Sequence, residues 1–215
     1  MSEVTVLAID LAKHLFQLHG VDANGRTCLQ RRLTRAQLLP FIAQLPACTV
    51  AMEACAGAHY WARQFRALGH SVQLIAPQYV KAFNRGQKND RNDAQAIACA
   101  ARQPHIVRVA VKSEEQQAIL TLHRLRERLL KERVAAVNQL HGLLGEFGLV
   151  LPRGFLPLQR HLGRVLEEPE GLPALLLPAL REQYEHLLTL QARLQSLTRQ
   201  IEQLAHATPA CQTLM

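Results

Sequence analysis

Two aspartates three residues apart, Asp90 and Asp93, stand inside the basic, alanine-rich stretch KNDRNDAQAIACAA. Two further acids, Asp10 and Glu53, lie at the ends of short apolar runs. Carboxylates brought together repel one another unless cations hold them, and Mg²⁺ or Mn²⁺ suits such oxygen ligands. Two such ions roughly 3.5–4 Å apart stabilise the attacking and leaving oxygens of phosphodiester displacement. The four acids together therefore predict a metal-dependent site for nucleic-acid chemistry.

Each acid taken alone also has a simpler interpretation. Asp90 or Asp93 is equally well explained as a helix cap, because acids are favourable near a helix N-terminus. Glu53 alone could be the structural partner of an arginine. The strand end AID also opens the phosphate loops of actin-like sugar kinases, although no glycine follows it directly, as such loops usually need. The combination of four acids at element ends is what favours the site.

Cations next to the acids are candidates for nucleic-acid binding, and solvated surface is an equal alternative for each of them. These cations are Lys13, Arg85, Lys88 and Arg91. His59 and Trp61 fit no metal-ligand or triad pattern, so we expect them to pack. The run over residues 124–133 interleaves both signs of charge, which is typical of a solvated helix face.

Charge is distributed unevenly along the 215 residues, whose net charge is +8. Residues 1–112 contain 14 Lys+Arg and 6 Asp+Glu, whereas residues 113–215 contain 11 of each. The excess in the first half is typical of a surface that meets DNA or RNA, with a merely soluble basic domain as the alternative.

The five cysteines include no CxxC pair, and neither a signal peptide nor a membrane-spanning run is evident. We therefore expect reduced thiols and a cytoplasmic protein.

The elements that must position the acids alternate between strands and helices. Strands are predicted at VTVLAID, LFQLHGVD, RTCLQRRL, CTVAMEAC and HSVQLIAP, with Asn24-Gly25 as a hairpin turn. Helices are predicted at RAQLLPFIAQL, capped by Thr34 and shortened or bent by Pro40, at HYWARQFRALG, around 78–84 and over 90–102. A hairpin followed by strand–helix crossovers predicts an α/β fold, a mixed sheet with helices on its faces. Acids at the carboxyl ends of its strands would meet at one edge.

After residue 113 the pattern becomes helical. Ser113 and Gln116 resemble a capping box that opens a helix reaching Phe147. Pro, Gly and Leu crowd residues 149–178, which predicts a loop or a connector of short helices. An almost strict spacing of seven, three and four then relates Leu180, Leu187, Leu190, Leu194, Leu197, Ile201 and Leu204. This seam predicts two long helices that pair as an antiparallel hairpin or self-associate across chains. The expected domains are therefore 1–112 and 113–215.

Four segments in order carry a resemblance to a known family. They are AIDLAKHLFQLHGVD, VAMEACAGAHYWARQF, APQYVKAFNRGQKNDRNDAQAIA and VKSEEQQAILTLHRLRERLLKERVAAVNQLHGLLGEFG. They closely resemble the DEDD transposases related to the Piv DNA invertase, whose insertion sequences include those guided by a bridge RNA. The resemblance runs from about residue 4 to residue 148 and implies a RuvC-like, RNase H-type fold. It places the Mg²⁺-binding acidic tetrad on Asp10, Glu53, Asp90 and Asp93.

The resemblance also implies partners and a further domain. Family members continue into a C-terminal domain that carries a serine nucleophile, and this chain ends at TPACQTLM, about where that domain should begin. We therefore expect complete strand exchange on donor and target DNA only from a longer protein. Bridge-RNA binding is implied for the RuvC-like domain and the coiled-coil region, with dimers or tetramers forming through the latter.

Three other functions stay open from the sequence. A stand-alone RuvC-like nuclease would cleave branched DNA with the same tetrad. A non-catalytic module would bind RNA and dimerise without cleaving. A sugar-kinase-like ATPase is the most distant of the three.

Overall fold

The computed structural model describes residues 3–84, 90–208 and 211, with the backbone alone described at positions 90 and 91. The chain forms two compact units, Met1–Ser113 and Glu114–Met215. Over the residues that the structure describes, the first unit contains two buried apolar clusters, and the second contains one.

The first unit alternates strands and helices around one sheet. Its elements are β1 (Val6–Asp10), β2 (Leu15–Val21), β3 (Thr27–Thr34), α1 (Arg35–Ile42), β4 (Thr49–Glu53), α2 (Ala58–Ala67), β5 (Ser71–Ile75), α3 (Pro77–Lys81), α4 (Asp90–Ala101) and β6 (Arg108–Val109). The sheet order is β3-β2-β1-β4-β5-β6, in which β1, β4 and β5 run parallel and β2 and β6 are antiparallel to their neighbours. The predicted mixed sheet with flanking helices is confirmed.

Side-chain alternation divides the core of this unit between the two faces of the sheet. Leu7 and Ile9 of β1 lie on one face, in the cluster that also contains Trp61 of α2. Ala8 lies on the other face, in a cluster with Ile97 of α4. Because successive residues of a strand point to opposite faces, β1, β2, β4 and β5 each contribute to both clusters.

Helix α1 shows the predicted cap and the predicted effect of proline. Thr34 is its N-cap residue, and the Thr34 N–H donates to Oε1 of Gln37 at 3.0 Å. The helix ends at Ile42, two residues after Pro40, which is the shortening that this proline predicted. Proline lacks the N–H of the helical ladder, which explains the early end.

The second unit consists of α5 (Glu114–Gly145), α6 (Phe155–Glu167), a 3₁₀ turn (Ala174–Leu176) and α7 (Leu177–Ala207). Nε of Arg126 donates to Oγ1 of Thr198 at 2.9 Å, and Nη1 of Arg133 donates to Oε1 of Gln191 at 2.7 Å. Later residues of α5 therefore meet earlier residues of α7, so the two helices run antiparallel.

The leucine seam of α7 is buried over its first half. Leu180, Leu187, Leu190 and Leu194 are all buried, whereas Leu204 is 37% exposed. The buried seam packs with leucines of α5 and α6 in one cluster. Within the described residues, none of the helices is both long and apolar enough to cross a membrane.

Candidate functional site

Asp10 and Glu53 are the last residues of two neighbouring parallel strands, β1 and β4. The pairing of these strands runs through Ile9 and Met52, so the two acids are the next residues along each strand. Neighbouring strands lie about 4.8 Å apart. The register therefore places the two carboxylates side by side at the carboxyl edge of the sheet.

Both acids belong to the face of the sheet that α4 covers. Asp10 follows Ala8 by two residues, and Glu53 follows Ala51 by two, and both alanines lie in the cluster that contains the buried residues of α4. Residues two apart on a strand share a face. Each acid is half-buried, so the carboxylates lie at the margin of this cluster.

Cys55 responds to the charge of both carboxylates. Burial raises the pKa of its thiol, and the negative charges of Glu53 and Asp10 raise that pKa further, against a smaller lowering by a backbone hydrogen bond. Because Coulombic effects fall with distance, the two acids must lie near the same thiol. This places Asp10 and Glu53 in one local electrostatic environment.

Helix α4 runs from the acidic edge toward the far end of the sheet. Arg102 follows the end of α4, and its guanidinium lies against Gly25 in the turn between β2 and β3. The first turn of α4, which contains Asp93, is therefore directed toward the carboxyl edge of the sheet, where Asp10 and Glu53 lie. Asp93 is half-buried and accepts a hydrogen bond from Nδ2 of Asn84.

The remaining predicted site residues divide into described and undescribed positions. Lys13 lies in the exposed connection that follows β1. Asp90 and Arg91 begin α4, but their side chains lie outside the described part of the structure, as do Arg85 and Lys88 entirely.

The described side chains do not by themselves form a metal site. Among them, no group of three or more His, Cys, Asp or Glu side chains lies close enough to hold a metal ion. The adjacent Asp10 and Glu53 carboxylates fit two ligands of a hard divalent cation, because that cation prefers charged oxygen donors. Asp93 does not join them in a group of three, and the side chain of Asp90 lies outside the described part of the structure.

Other residues singled out in the sequence have structural contacts. Trp61 is 3% exposed and its ring meets Phe16 edge-on, with the centroids 5.2 Å apart, so the prediction that it packs is confirmed. His59 is half-buried, and its Nδ1 accepts the backbone N–H of Lys112 at 3.2 Å.

The row of side chains that contains the two acids extends across the sheet to an arginine that the sequence reading did not select. Asp10 pairs with Gln17 of β2, and Gln17 pairs with Arg32 of β3. Directly paired residues share a face of the sheet. Every second residue of β3 lies on one face of the sheet, but which of them share the face of the acids is known only from the strand register.

Comparison with known proteins gives a consistent result. Residues 7–148 match the model of a transposase family, the DEDD transposases of the IS110 type. A probable family 20 transposase of Pseudomonas aeruginosa is 50% identical over 198 residues, covering 91% of this chain and 59% of that protein. The transposase of insertion sequence IS1111A from Coxiella burnetii is 39% identical over 213 residues, covering 99% of this chain and 58% of its own. The chain therefore spans about three-fifths of the length of these relatives.

Solved structures of RuvC also align with the chain. The Thermus thermophilus RuvC structure aligns with 48% of this chain and 99% of its own, at 15% sequence identity and a TM-score of 0.38. A second structure, of T. thermophilus RuvC in complex with a Holliday junction substrate, aligns with 50% of this chain at a TM-score of 0.36.

Proposed function

Because the chain belongs to the DEDD transposase family of the IS110 type, we propose that its first unit is a RuvC-like, Mg²⁺-dependent catalytic domain that acts on DNA. Four acids, Asp10, Glu53, Asp90 and Asp93, are its metal ligands. The observation that carries this proposal is the adjacent placement of Asp10 and Glu53 at the ends of parallel strands, on the face covered by α4.

The chemistry assigned to this edge is phosphodiester displacement. Mg²⁺, or Mn²⁺ in its place, supplies charge neutralisation at the phosphoryl oxygens and activation of the attacking oxygen when it is bound. Asp10 and Glu53 would hold it from the sheet, and Asp93 and Asp90, which belong to the first turn of α4, would be the remaining ligands. The sheet fixes the first two ligands more rigidly than a loop would, which suits a geometry-dependent reaction.

Nucleic acid and a second copy of the chain are the proposed partners. Lys13, Arg85, Lys88 and Arg91 are proposed to contact phosphates near the acids. We further propose that a structured bridge RNA guides the choice of donor and target DNA, as the family resemblance implies. The helical unit, which is a coiled-coil segment in this proposal, joins chains into dimers or tetramers.

Complete recombination is proposed for a longer protein. The family resemblance places a serine nucleophile in a further C-terminal domain, so the acids of this chain would act together with that serine. The cytoplasmic location follows from the same proposal, with five free cysteines that suit a reducing compartment.

Metal binding tests the proposal directly. We expect the full chain to bind Mn²⁺ in calorimetry, and Asp10→Asn or Glu53→Gln to weaken binding at least about ten-fold, because each removes a charged ligand. Asp22→Asn is the matched control, since Asp22 is an acid of the same unit in the turn between β2 and β3. Its carboxylate accepts the Arg26 N–H at 2.9 Å, a bond that asparagine retains.

Asp90→Asn and Asp93→Asn extend the test to the helix. Equal loss of Mn²⁺ binding in these variants would support the tetrad. Unchanged binding in Asp10→Asn and Glu53→Gln would reject the acidic site, and tight RNA binding by all four variants would then favour a non-catalytic RNA-binding module.

A further inference from the structure

The acidic pair lies in a transverse row of side chains that ends at the free edge of the sheet. From β4 to β3 the row consists of Glu53, Asp10, Gln17 and Arg32. Strand β3 is the last strand in the sheet order, and Arg32 is exposed there. Two strand spacings separate Arg32 from Asp10, so their Cα atoms lie roughly 10 Å apart.

Neighbouring contacts independently fix the face on which Arg32 lies. Nε2 of Gln30 contacts Nδ1 of the buried His19 at 3.4 Å, and His19 is the residue that pairs with Ala8 of the α4 face. Arg32 follows Gln30 by two residues and shares its face. Arg31 lies on the other face, where its guanidinium stands 5.2 Å from the centre of the Phe41 ring.

Neutralising the acids does not explain this arginine. A residue that served as a salt-bridge partner would have its nitrogen within about 4 Å of a carboxylate oxygen. In the described part of the chain, Arg32 forms no salt bridge. A long cationic side chain held on a strand, beside an acidic site but apart from it, is suited to bind an anion that extends along the row.

We propose that Arg32 binds a backbone phosphate of the nucleic acid, next to the phosphate that would react at the acidic pair Asp10 and Glu53. The ligand is a phosphodiester, from DNA or from RNA, and this choice of ligand rests on the proposed function. Arginine offers a planar fork of N–H donors that matches phosphate oxygens. Gln17, which lies between Arg32 and Asp10 in the row, offers an uncharged amide donor to the connecting backbone. Arg32 is thus a positioning residue that determines which phosphate of the nucleic acid lies at the acids.

The test exploits the opposite faces of two adjacent arginines. Arg32→Gln and Arg31→Gln remove the same charge from consecutive positions of β3, and only the first faces the acids. Binding of fluorescent single-stranded DNA, duplex DNA and hairpin RNA of equal length is measured by anisotropy in EDTA, across a salt series. We expect Arg32→Gln to reduce the slope of log affinity against log salt by about 0.7 for single strands or about 0.9 for duplex, because one phosphate contact is lost.

Three further results decide the interpretation. Arg31→Gln should leave the slope unchanged, Arg32→Lys should restore most of it, and all three variants should bind Mn²⁺ as the unmodified chain does. The probe with the largest effect identifies DNA or RNA as the source of the phosphate. Equal effects of Arg31→Gln and Arg32→Gln, or none, would overturn the proposal.

The outcome separates this inference from the proposed function. If the unmodified chain binds Mn²⁺ and Arg32→Gln has no effect on the slope, the phosphate contact fails and the acidic site stands. If Mn²⁺ does not bind but Arg32→Gln alone reduces the slope, the acidic site fails and the phosphate contact stands.

Discussion

At the scale of single residues, strand alternation decides which way the two acids point. A shift of one residue in β1 would exchange Asp10 with Ile9 and put a carboxylate into the apolar cluster that contains Trp61. Ala8 and Ala51 are buried on the same face as the acids, and their small side chains leave room beside them for a charged group. The position of the acids is therefore set by the same register that builds the core.

Cys55 provides a probe of this arrangement. Burial first, and then the charges of Glu53 and Asp10, raise the pKa of its thiol. Because only the thiolate is alkylated, a raised pKa shifts the reaction to higher pH. We predict that Glu53→Gln or Asp10→Asn lowers the pH at which Cys55 reacts with iodoacetamide, as measured by a pH–rate profile with mass-spectrometric detection.

Cys28 is the control for that measurement. Burial and the charge of Asp22 raise the pKa of its thiol, and neither acid of the site contributes. Its profile should stay the same in both variants. An unchanged profile at Cys55 would mean that the two carboxylates do not share its surroundings.

Some of the site could be predicted from residue types alone, and some could not. Asp10 and Glu53 were predictable because β-branched apolar runs mark the strands that they end. The hydrogen bond between Asn84 and Asp93 was not, since it joins residues from two separate helical regions. The face of Arg32 depends on the pairing of three strands, and a sequence motif carries no such register.

At the scale of elements, small side chains determine how α4 sits on the sheet. Ala94, Ala98 and Ala101 are buried in α4, and Ala8 and Ala51 are fully buried in the strands opposite. Alanines on both sides allow close approach of helix and sheet. Because α4 also carries Asp93, this packing positions the acid relative to Asp10.

Overpacking that contact should displace the helix. Ala98 is 2% exposed, and we predict that Ala98→Leu lowers the free energy of unfolding of the first unit by about 1–3 kcal/mol. Trp61 is the single tryptophan of the chain and is buried in this unit, so urea unfolding followed by its fluorescence reports on this unit. The folded variant should also bind Mn²⁺ more weakly.

Gln95→Leu is the matched control, because Gln95 is exposed on the same helix. We expect it to change the unfolding free energy by less than about 0.5 kcal/mol. If Ala98→Leu lowers the free energy of unfolding no more than this control does, α4 does not pack closely against the sheet at Ala98.

The elements that sequence reasoning missed have physical reasons for being missed. Strand β6 has only two residues, Arg108–Val109, and forms by pairing with β5, so it has no periodicity to detect. Helix α6 lies inside the segment predicted as a loop or short-helix connector, and its 13 residues exceed a short helix. Its buried residues Leu158, Leu162 and Leu166 are four apart, and this helical period was hidden by the neighbouring prolines and glycines.

At the scale of the whole molecule, charge distinguishes the two units. Residues 1–112 carry 14 Lys+Arg against 6 Asp+Glu, and residues 113–215 carry 11 of each. In the helical unit, Arg128 pairs with Glu132 at 2.8 Å and Lys131 with Glu127 at 2.7 Å, both one turn apart on α5. The cations of that unit are thus partly balanced locally, whereas the first unit keeps an excess that attracts a polyanion.

Two double variants test whether this partition governs DNA binding. Lys13→Gln with Arg32→Gln removes two exposed cations that are proposed phosphate contacts of the first unit, and Arg124→Gln with Arg199→Gln removes two from the second. For duplex DNA we predict that the first pair lowers the slope of log affinity against log salt by up to about 1.8, since two phosphate contacts are lost. The second pair should leave the slope unchanged, with both measured by anisotropy across the same salt series.

The second pair carries the decisive information. Neither of its cations is proposed to contact a phosphate, so their loss should leave the number of counterions released from DNA unchanged. A fall in slope equal to that of the first pair would show that the helical unit contacts DNA directly. Local geometry, and not the net charge of each unit, would then determine where the DNA lies.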